Sequence, residues 1–461
     1  MEPRTLVEQI ASLGESVQAA LAVFLTVIGQ GAELEDGQGL MRRESELEAS
    51  AKRFLAQVLA EEVQQALDSE AMGNRQRELI GAWPKKLKFR GARQVRIRTL
   101  WGETLTVRCG YWGSKHLGGR GLYPGLQLLG IHDRCTPQTG SEMARLVVAL
   151  GSLREAQAEL RRRGVRVNVK VLQRVAWLWS SRVRDRLGQR VQFQESLKGK
   201  RVAVAIDGGR IRTRKDRKGR KTARGRHRYR TDWREPKLLI IYLLDENGRL
   251  DATFSPIIDG TLKGPDALVA LLRFYLDKLD VRQAETLVFT ADGAPWIWER
   301  IQPLLADWPI PVHRVLDFYH ASEHLVEVAK ACKGWSAKQR KTWWRKQQRR
   351  LLKGQVDPVI EAIAELARGR RRRAVLKELN YFTRHREHLA YDRLCQDKLP
   401  ISSGAIESAI RRVVNLRLKS AATFWKETTA EGMLLLRAWF KAGRWNTLEN
   451  IALAPTPDCI A

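Results

Sequence analysis

Apolar residues recur at three- and four-residue steps between Glu44 and Leu67 (Leu47, Ala51, Phe54, Val58, Leu59, Val63 and Leu67), with charges between them. That period predicts an amphipathic helix, and residues 1–84 are expected to form a helical region whose stripe serves packing or dimerisation. From Lys86 to Trp112 the period drops to two. KLKFRGARQVRIRTLWGETLTVRCGYW reads as two or three strands turning at Gly102, with Arg96, Arg98 and Arg108 outward. A small β-rich domain is expected over 85–140. Helical periodicity returns in 141–196, where MARLVVALGSLREAQAELRRRG predicts a helix ending at Gly164 and VRVNVKVLQRVAWLWSSRV a turn and a second helix. Asn168 is the expected N-cap, and Lys170, Gln173 and Arg174 fall on the exposed side, as in a helix-turn-helix that contacts DNA. Helical pairs of this sort are also common in cores that never touch DNA.

After Gly199 the texture changes to short apolar runs. RVAVAID (201–207) reads as a buried strand; KLLIIYLLDENG (237–248) and LDATFSPIIDG (250–260) read as two more, joined as a hairpin at Glu246-Asn247-Gly248. PDALVALLRFYLDKL (265–279) is a helix opened by Pro265, ETLVFTADG (285–293) a fourth strand and PVHRVLDFYH (311–320) a fifth. Three strands, a helix, a strand, a helical stretch and a strand suit an RNase H-like fold. Residues 197–322 are expected to be its first part, 323–398 a basic α-helical insertion, and 399–461 the last core helix with C-terminal helices. The expected class is a multidomain α/β protein, its RNase H-like core preceded by helical, small β and helix-turn-helix-like domains.

Charge narrows the function. The 461 residues hold 82 Lys and Arg against 51 Asp and Glu, a net +31, and such an excess attracts polyanions, of which nucleic acid is the usual one. Five scattered cysteines (Cys109, Cys135, Cys332, Cys395, Cys459) form no CxxC pair, so neither a disulfide framework nor a structural zinc site is legible. The most apolar stretch, Ala20–Ile28, is far shorter than the ~20 residues of a membrane span. Glu2 and Glu8 replace the basic start of a signal peptide. A cytoplasmic, nucleoid-associated protein without membrane contact is expected.

Phosphodiester cleavage by two metals needs carboxylates from different elements, converging on Mg²⁺ ions ~3.5–4 Å apart. Asp207 ends the first apolar strand, Asp292 ends the fourth, and Glu407 lies in the first turn of the PISSGAIESAIRRVVNLRLK helix. Each also has a bland reading: Asp-Gly is a turn dipeptide, and an acid in a first turn is favoured by the helix dipole. Mg²⁺ is the expected cofactor, with Mn²⁺ as a substitute, because oxygen ligands without a histidine cage suit it.

AIDGGR, TADGAPWIW, LDFYHASEHL and LPISSGAIESAIRRVVNLRLK…FW together resemble the bacterial insertion-sequence transposases of the ISKra group, relatives of the Mutator-like superfamily, over residues 85–445. The resemblance implies an RNase H-like catalytic domain interrupted by an α-helical insertion before the last carboxylate. It makes Asp207, Asp292 and Glu407 the metal-holding DDE triad. The family's Asp-x-x-His element falls on Asp317 and His320, with His320 assisting catalysis and Asp317 supporting the site. Relatives often carry CxxC-like motifs in the N-terminal strand region, where this chain has only the single Cys109 and Cys135.

Further residues are candidate DNA contacts. Arg210–Arg230 holds 12 Lys/Arg in 21 residues beside Asp207, and reads as a loop that either clamps phosphates through Arg210, Arg212, Arg214, Lys215, Arg217 and Lys218 or is merely solvated. Trp335, Trp343 and Trp344 interleave with bases; packing is expected for two of them, and Trp343 is the candidate for stacking on an unpaired base. Arg411 and Asn415 follow Glu407 at four-residue spacing, with Arg417 and Lys419 beyond, while Ile406, Ile410, Val413 and Val414 would face the core. The expected function is cleavage of element ends in double-stranded DNA and joining of the freed 3′-hydroxyl to target DNA, by a dimer or higher homo-oligomer. The alternatives are a structure-selective RNase H-like nuclease, which would cut without strand transfer, and a non-catalytic DNA-binding descendant of a transposase.

Overall fold

An amphipathic helix laid on a small sheet organises the first of two units into which the chain divides, residues 1–182 with 449–461; residues 183–448 form the second. The computed structural model describes residues 13–31, 34–83, 86–113, 121–223, 225, 227–420 and 423–454. Glu2, Glu8 and Cys459 lie outside them.

In the first unit, α1 (Glu15–Gly29), α2 (Gly37–Asp68) and α3 (Glu70–Gly81) precede an antiparallel sheet of β1 (Lys88–Arg98), β2 (Thr104–Gly113) and β3 (Gly121–Leu122). Strand alternation turns Val95, Ile97, Leu105 and Val107 inward, where they meet Ala56, Leu59, Val63 and Leu67 of α2. The apolar stripe of α2 thus packs on its own chain's sheet. Three helices follow α4 (Pro124–Leu128): α5 (Pro137–Ala149), α6 (Leu153–Arg162) and α7 (Val169–Arg190). The single helix expected to end at Gly164 is therefore two. Ser152 caps α6 by accepting the Glu155 N–H (3.1 Å), while Glu155 accepts the Gly151 N–H (3.0 Å). This Ser-x-x-Glu start signal lies hidden inside an uninterrupted helical period. Asn168 caps α7 as expected, accepting the Val171 N–H at 2.9 Å.

The second unit is built on a mixed five-stranded sheet of β4 (Arg201–Gly208), β7 (Lys237–Leu244), β8 (Ile257–Thr261), β9 (Thr286–Ala291) and β10 (Val312–Leu316), in the order β10-β9-β4-β7-β8. β7 is antiparallel to β4 and β8; β9 and β10 run parallel to β4 and to each other. The parallel strands are reached by crossovers through α8 (Pro265–Lys278) and α9 (Pro295–Leu304). β4, β7 and β9 are nearly continuous apolar runs, consistent with their burial.

Three expectations change here. The third strand begins at Ile257 rather than Leu250. Asp251 closes a turn on the Thr253 N–H (2.8 Å), Pro256 has no N–H to give, and the Arg444 guanidinium takes the Ser255 and Pro256 carbonyls. The fifth strand stops at Leu316, so Asp317 and His320 do not lie on it: Asp317 caps α10 (Phe318–Ala331), and His320 is in its first turn. The basic segment 210–230 is not a loop throughout. Its ends form a two-stranded antiparallel sheet, β5 (Ile211–Asp216) with β6 (Tyr229–Arg234).

The helical stretch beyond α10 comprises α11 (Ala337–Leu352), α12 (Val356–Ala364), α13 (Arg372–Arg384) and α14 (Tyr391–Gln396), around buried Leu351, Val359, Ile363, Val375 and Phe382. α15 (Gly404–Ile410) carries Glu407 and opens into a π-helical turn, Arg411–Asn415; α16 (Glu427–Lys441) and α17 (Trp445–Leu453) are the last helices among the described residues. Among the described residues, no helix is long and apolar enough to cross a membrane.

Candidate active site

Register places the first two carboxylates. Ile206 of β4 pairs with Ala291 of β9, so Asp207 and Asp292 follow side by side at the carboxyl ends of adjacent parallel strands. Strands in a sheet lie about 4.7–4.9 Å apart, and the carboxyl ends of parallel strands are where α/β sheets bind ligands. Asp207 Oδ1 accepts the Gly208 N–H (2.6 Å) and Asp292 Oδ1 the Ala294 N–H (3.0 Å), which fixes both side chains. Both acids line one cleft of about 660 Å³ together with Gly208, Gly209, Arg210, Trp233, Glu235, Asn415 and Lys419.

The glycines after these acids provide room rather than a left-handed turn: none of Gly208, Gly209 and Gly293 has positive φ. A β-carbon at Gly209 would stand 2.9 Å from Val414 Cγ1, so the end of β4 meets the segment after Glu407 only because the side chain is missing. A β-carbon at Gly293 would overlap the Tyr381 ring.

Glu407 is exposed on α15 and is not among the residues lining the cleft. Its charge nevertheless reaches Asp207. Burial first, then the charges of Asp292 and Glu407, push the Asp207 carboxyl up to about 6, against the Gly208 N–H and His320, which favour its ionised form. Asp207 thus lies in the field of two further carboxylates, Asp292 and Glu407, and carboxylate oxygens are ligands of the kind Mg²⁺ and Mn²⁺ take. Among the described residues, no three His, Cys, Asp or Glu side chains are gathered closely enough to hold a metal ion.

Asp317 is fully buried, with both carboxylate oxygens committed to backbone: Oδ1 accepts the His320 N–H (2.7 Å) and Oδ2 the Ser403 N–H. Its own N–H donates to Ala291 (2.8 Å), and the Phe318 N–H donates to Ile401 (3.0 Å). It holds the segments bearing Asp292 and Glu407. His320 is half-exposed, its Nδ1 3.5 Å from Glu323.

The π-helical turn redirects the residues after Glu407. It inserts an extra residue into the helical repeat, and such turns recur at functional sites. Arg437, itself buried, donates Nε to the Arg412 and Val413 carbonyls (2.9 and 3.0 Å) that the widened turn exposes. Ile406, Ile410, Val413 and Val414 are buried as expected. Asn415 and Lys419 face the cleft; Arg411 is exposed but does not line it. Arg417 is a correction. It is 6 % exposed, with its guanidinium 5.5 Å from the Trp425 ring, so this expected DNA contact is part of the core.

Elsewhere the expected DNA residues divide. Lys170 and Gln173 are exposed on α7, but Arg174 is tied to Asp133 by an ion pair of 2.6 Å. Trp344 donates to Ser322 Oγ (2.9 Å), and Trp343 is half-buried against Trp335. Arg210, Arg212, Arg214 and Lys215 sit at or on β5, and Arg217 and Lys218 are exposed beyond it. Cys109 and Cys135 are buried free thiols; burial raises both, Cys135 to about 11.

Sequence reading missed two groups. Glu235 lines the cleft beside Asp207 and is ion-paired to Lys237 at 3.0 Å, with no motif to announce it. Tyr381 and His385, from the helical stretch, pack their rings 5.1 Å apart, with the Tyr381 ring against Gly293 next to Asp292. No protein-family model matches the chain, and no curated protein matches it.

Proposed function

We propose that this chain is a DDE-type DNA transposase with an RNase H-like catalytic core, akin to the ISKra group that its motifs resemble. The observation that carries the reading is the Ile206–Ala291 register, which sets Asp207 and Asp292 side by side, with the charge of Glu407 reaching the same carboxyl. Three antiparallel strands followed by two parallel ones across helical crossovers support the RNase H-like assignment. The net charge of +31 supports a nucleic-acid substrate.

In this reading Asp207, Asp292 and Glu407 would hold Mg²⁺, with Mn²⁺ able to replace it. When bound, the ions supply charge neutralisation at the attacking and leaving oxygens of an in-line displacement. Lys419, Asn415 and Arg210 orient the scissile strand at the rim, since their side chains share the cleft with both aspartates. Asp317 keeps Glu407 and Asp292 in place, and the His320 charge favours the ionised form of Asp207. Water adds to the phosphorus as the P–O3′ bond breaks, which frees a 3′-hydroxyl at the element's end. That oxygen then attacks a target phosphodiester, forming one P–O bond as another breaks, so one site serves both steps. Two ends must be held at once, which calls for a dimer or larger assembly working on the nucleoid.

The test is a strand-transfer assay with the flanking element ends and Mg²⁺. Joined products from the wild type and none from Asp292→Ala support a transposase; cleavage without joining points to a structure-selective nuclease.

A further inference from the structure

The segment after Asp207 folds as a hairpin whose two faces differ. Ile211 and Thr213 are buried on one face, and on that edge Arg212 and Arg214 exchange backbone hydrogen bonds with Trp425 (3.0 and 2.8 Å). The other face carries Arg212 opposite Trp233, then Arg214 opposite Thr231, then Asp216 opposite Tyr229. Its cations and rings interleave. The Arg210 guanidinium is 4.8 Å from the Trp233 ring, Arg212 lies between Trp233 (5.8 Å) and Phe424 (4.8 Å), and Arg214 is 5.7 Å from Tyr229. Tyr229 and Phe424 stand 5.9 Å apart. Despite these partners the rings are not buried: Trp233 is 48 % exposed and Tyr229 43 %. The acid on this face, Asp216, is neutralised by Lys426 at 3.1 Å.

Two features decide what this surface fits. A phosphate clamp for duplex DNA needs the cations alone; paired bases are stacked on one another and offer nothing to an exposed indole or phenol. Unpaired bases stack on aromatic rings and on guanidinium planes alike, whatever their sequence, and a cationic track beside them holds the backbone. The ladder also leads into the carboxylate cleft, since Arg210 and Trp233 line that cleft with Asp207 and Asp292.

We propose that the Arg210–Arg212–Arg214 face of the hairpin is a single-strand track that stacks unpaired DNA bases on Trp233 and Tyr229 where a strand enters the carboxylate cleft. It deepens the transposase reading and rests on it for where the strand leads.

The experiment is fluorescence anisotropy of the full chain with labelled oligo(dT) and with a blunt mixed-sequence duplex, across a salt series. The Trp233→Ala/Tyr229→Ala variant is expected to bind oligo(dT) about 10- to 100-fold more weakly, with duplex affinity and the salt slopes unchanged. Trp233→Phe/Tyr229→Phe, which keeps ring planes, is expected to hold oligo(dT) within a few-fold of wild type. Equal losses on both DNAs, unchanged oligo(dT) binding, or a Phe variant as weak as the Ala variant would each overturn the proposal. Cleavage is no part of this readout: a protein that shows the single-strand effect but transfers no strands overturns the transposase reading alone.

Discussion

The carboxylate of Asp317 and the backbone N–H of Ser403 join the end of β10 to the start of α15, inside the protein: Asp317 is 0 % and Ser403 4 % exposed. The other Asp317 oxygen caps α10 and its N–H holds Ala291. Removing the side chain strands the buried Ser403 N–H and the half-buried His320 N–H, at about 1–3 kcal/mol each. Asp317→Ala should therefore lower stability by about 2–4 kcal/mol, read as a shift in the urea midpoint at constant slope. An unchanged midpoint would show that the keystone role is wrong.

Asp207 links pH to stability with a definite sign. Its folded value, about 6, lies above the ordinary 3.8. The native state thus holds this proton more tightly than the unfolded chain, and stability is lost as pH rises from about 4 through about 6. Asp207→Asn should match wild type near pH 4 and exceed it at pH 8 by on the order of 2–3 kcal/mol without divalent cations. Adding Mg²⁺ at pH 8 should raise the wild-type melting temperature and leave that of Asp207→Asn nearly unmoved. Thermal denaturation at both pH values checks this; a difference independent of pH would contradict it.

The influence of His320 on Asp207 can be read kinetically. A cationic His320 lowers the Asp207 carboxyl, so His320→Ala should move the rise of end cleavage with pH to higher pH, with a reduced but measurable rate. A pH–rate profile superimposable on wild type would reduce His320 to a first-turn residue of α10.

The basic hairpin makes an ionic prediction. Replacing Arg214, Lys215, Arg217 and Lys218 with Gln should weaken binding to all duplex sequences alike and flatten the plot of log K against log[salt] by roughly two to four units. Relaxed preference for element ends at an unchanged slope would instead mean base reading. No change in either quantity would leave the hairpin without a clamp.

What sequence could reveal here follows physical lines. The apolar runs of β4, β7 and β9 were legible because both faces are buried, and with them came Asp207 and Asp292 at their ends. The hairpin was hidden because cations occupy most positions of 210–230, drowning the alternation of Ile211, Thr213, Tyr229 and Trp233 that marks its strands. Arg417 was misplaced for another reason: it stands four residues after Val413 and three after Val414, on the core face, and its charge outweighed that spacing in the reading. The commitment of Asp317 to Ser403 joins residues 86 positions apart, which no local pattern encodes.

The central claim is that Asp207, Asp292 and Glu407 form one catalytic set, and end cleavage by single variants tests it most directly. With Mg²⁺ and the element's own ends, Asp207→Ala, Asp292→Ala and Glu407→Gln should each abolish cleavage while duplex affinity stays near wild type, because each loses a carboxylate and no positive charge. Near-wild-type cleavage by any one of the three would contradict the account.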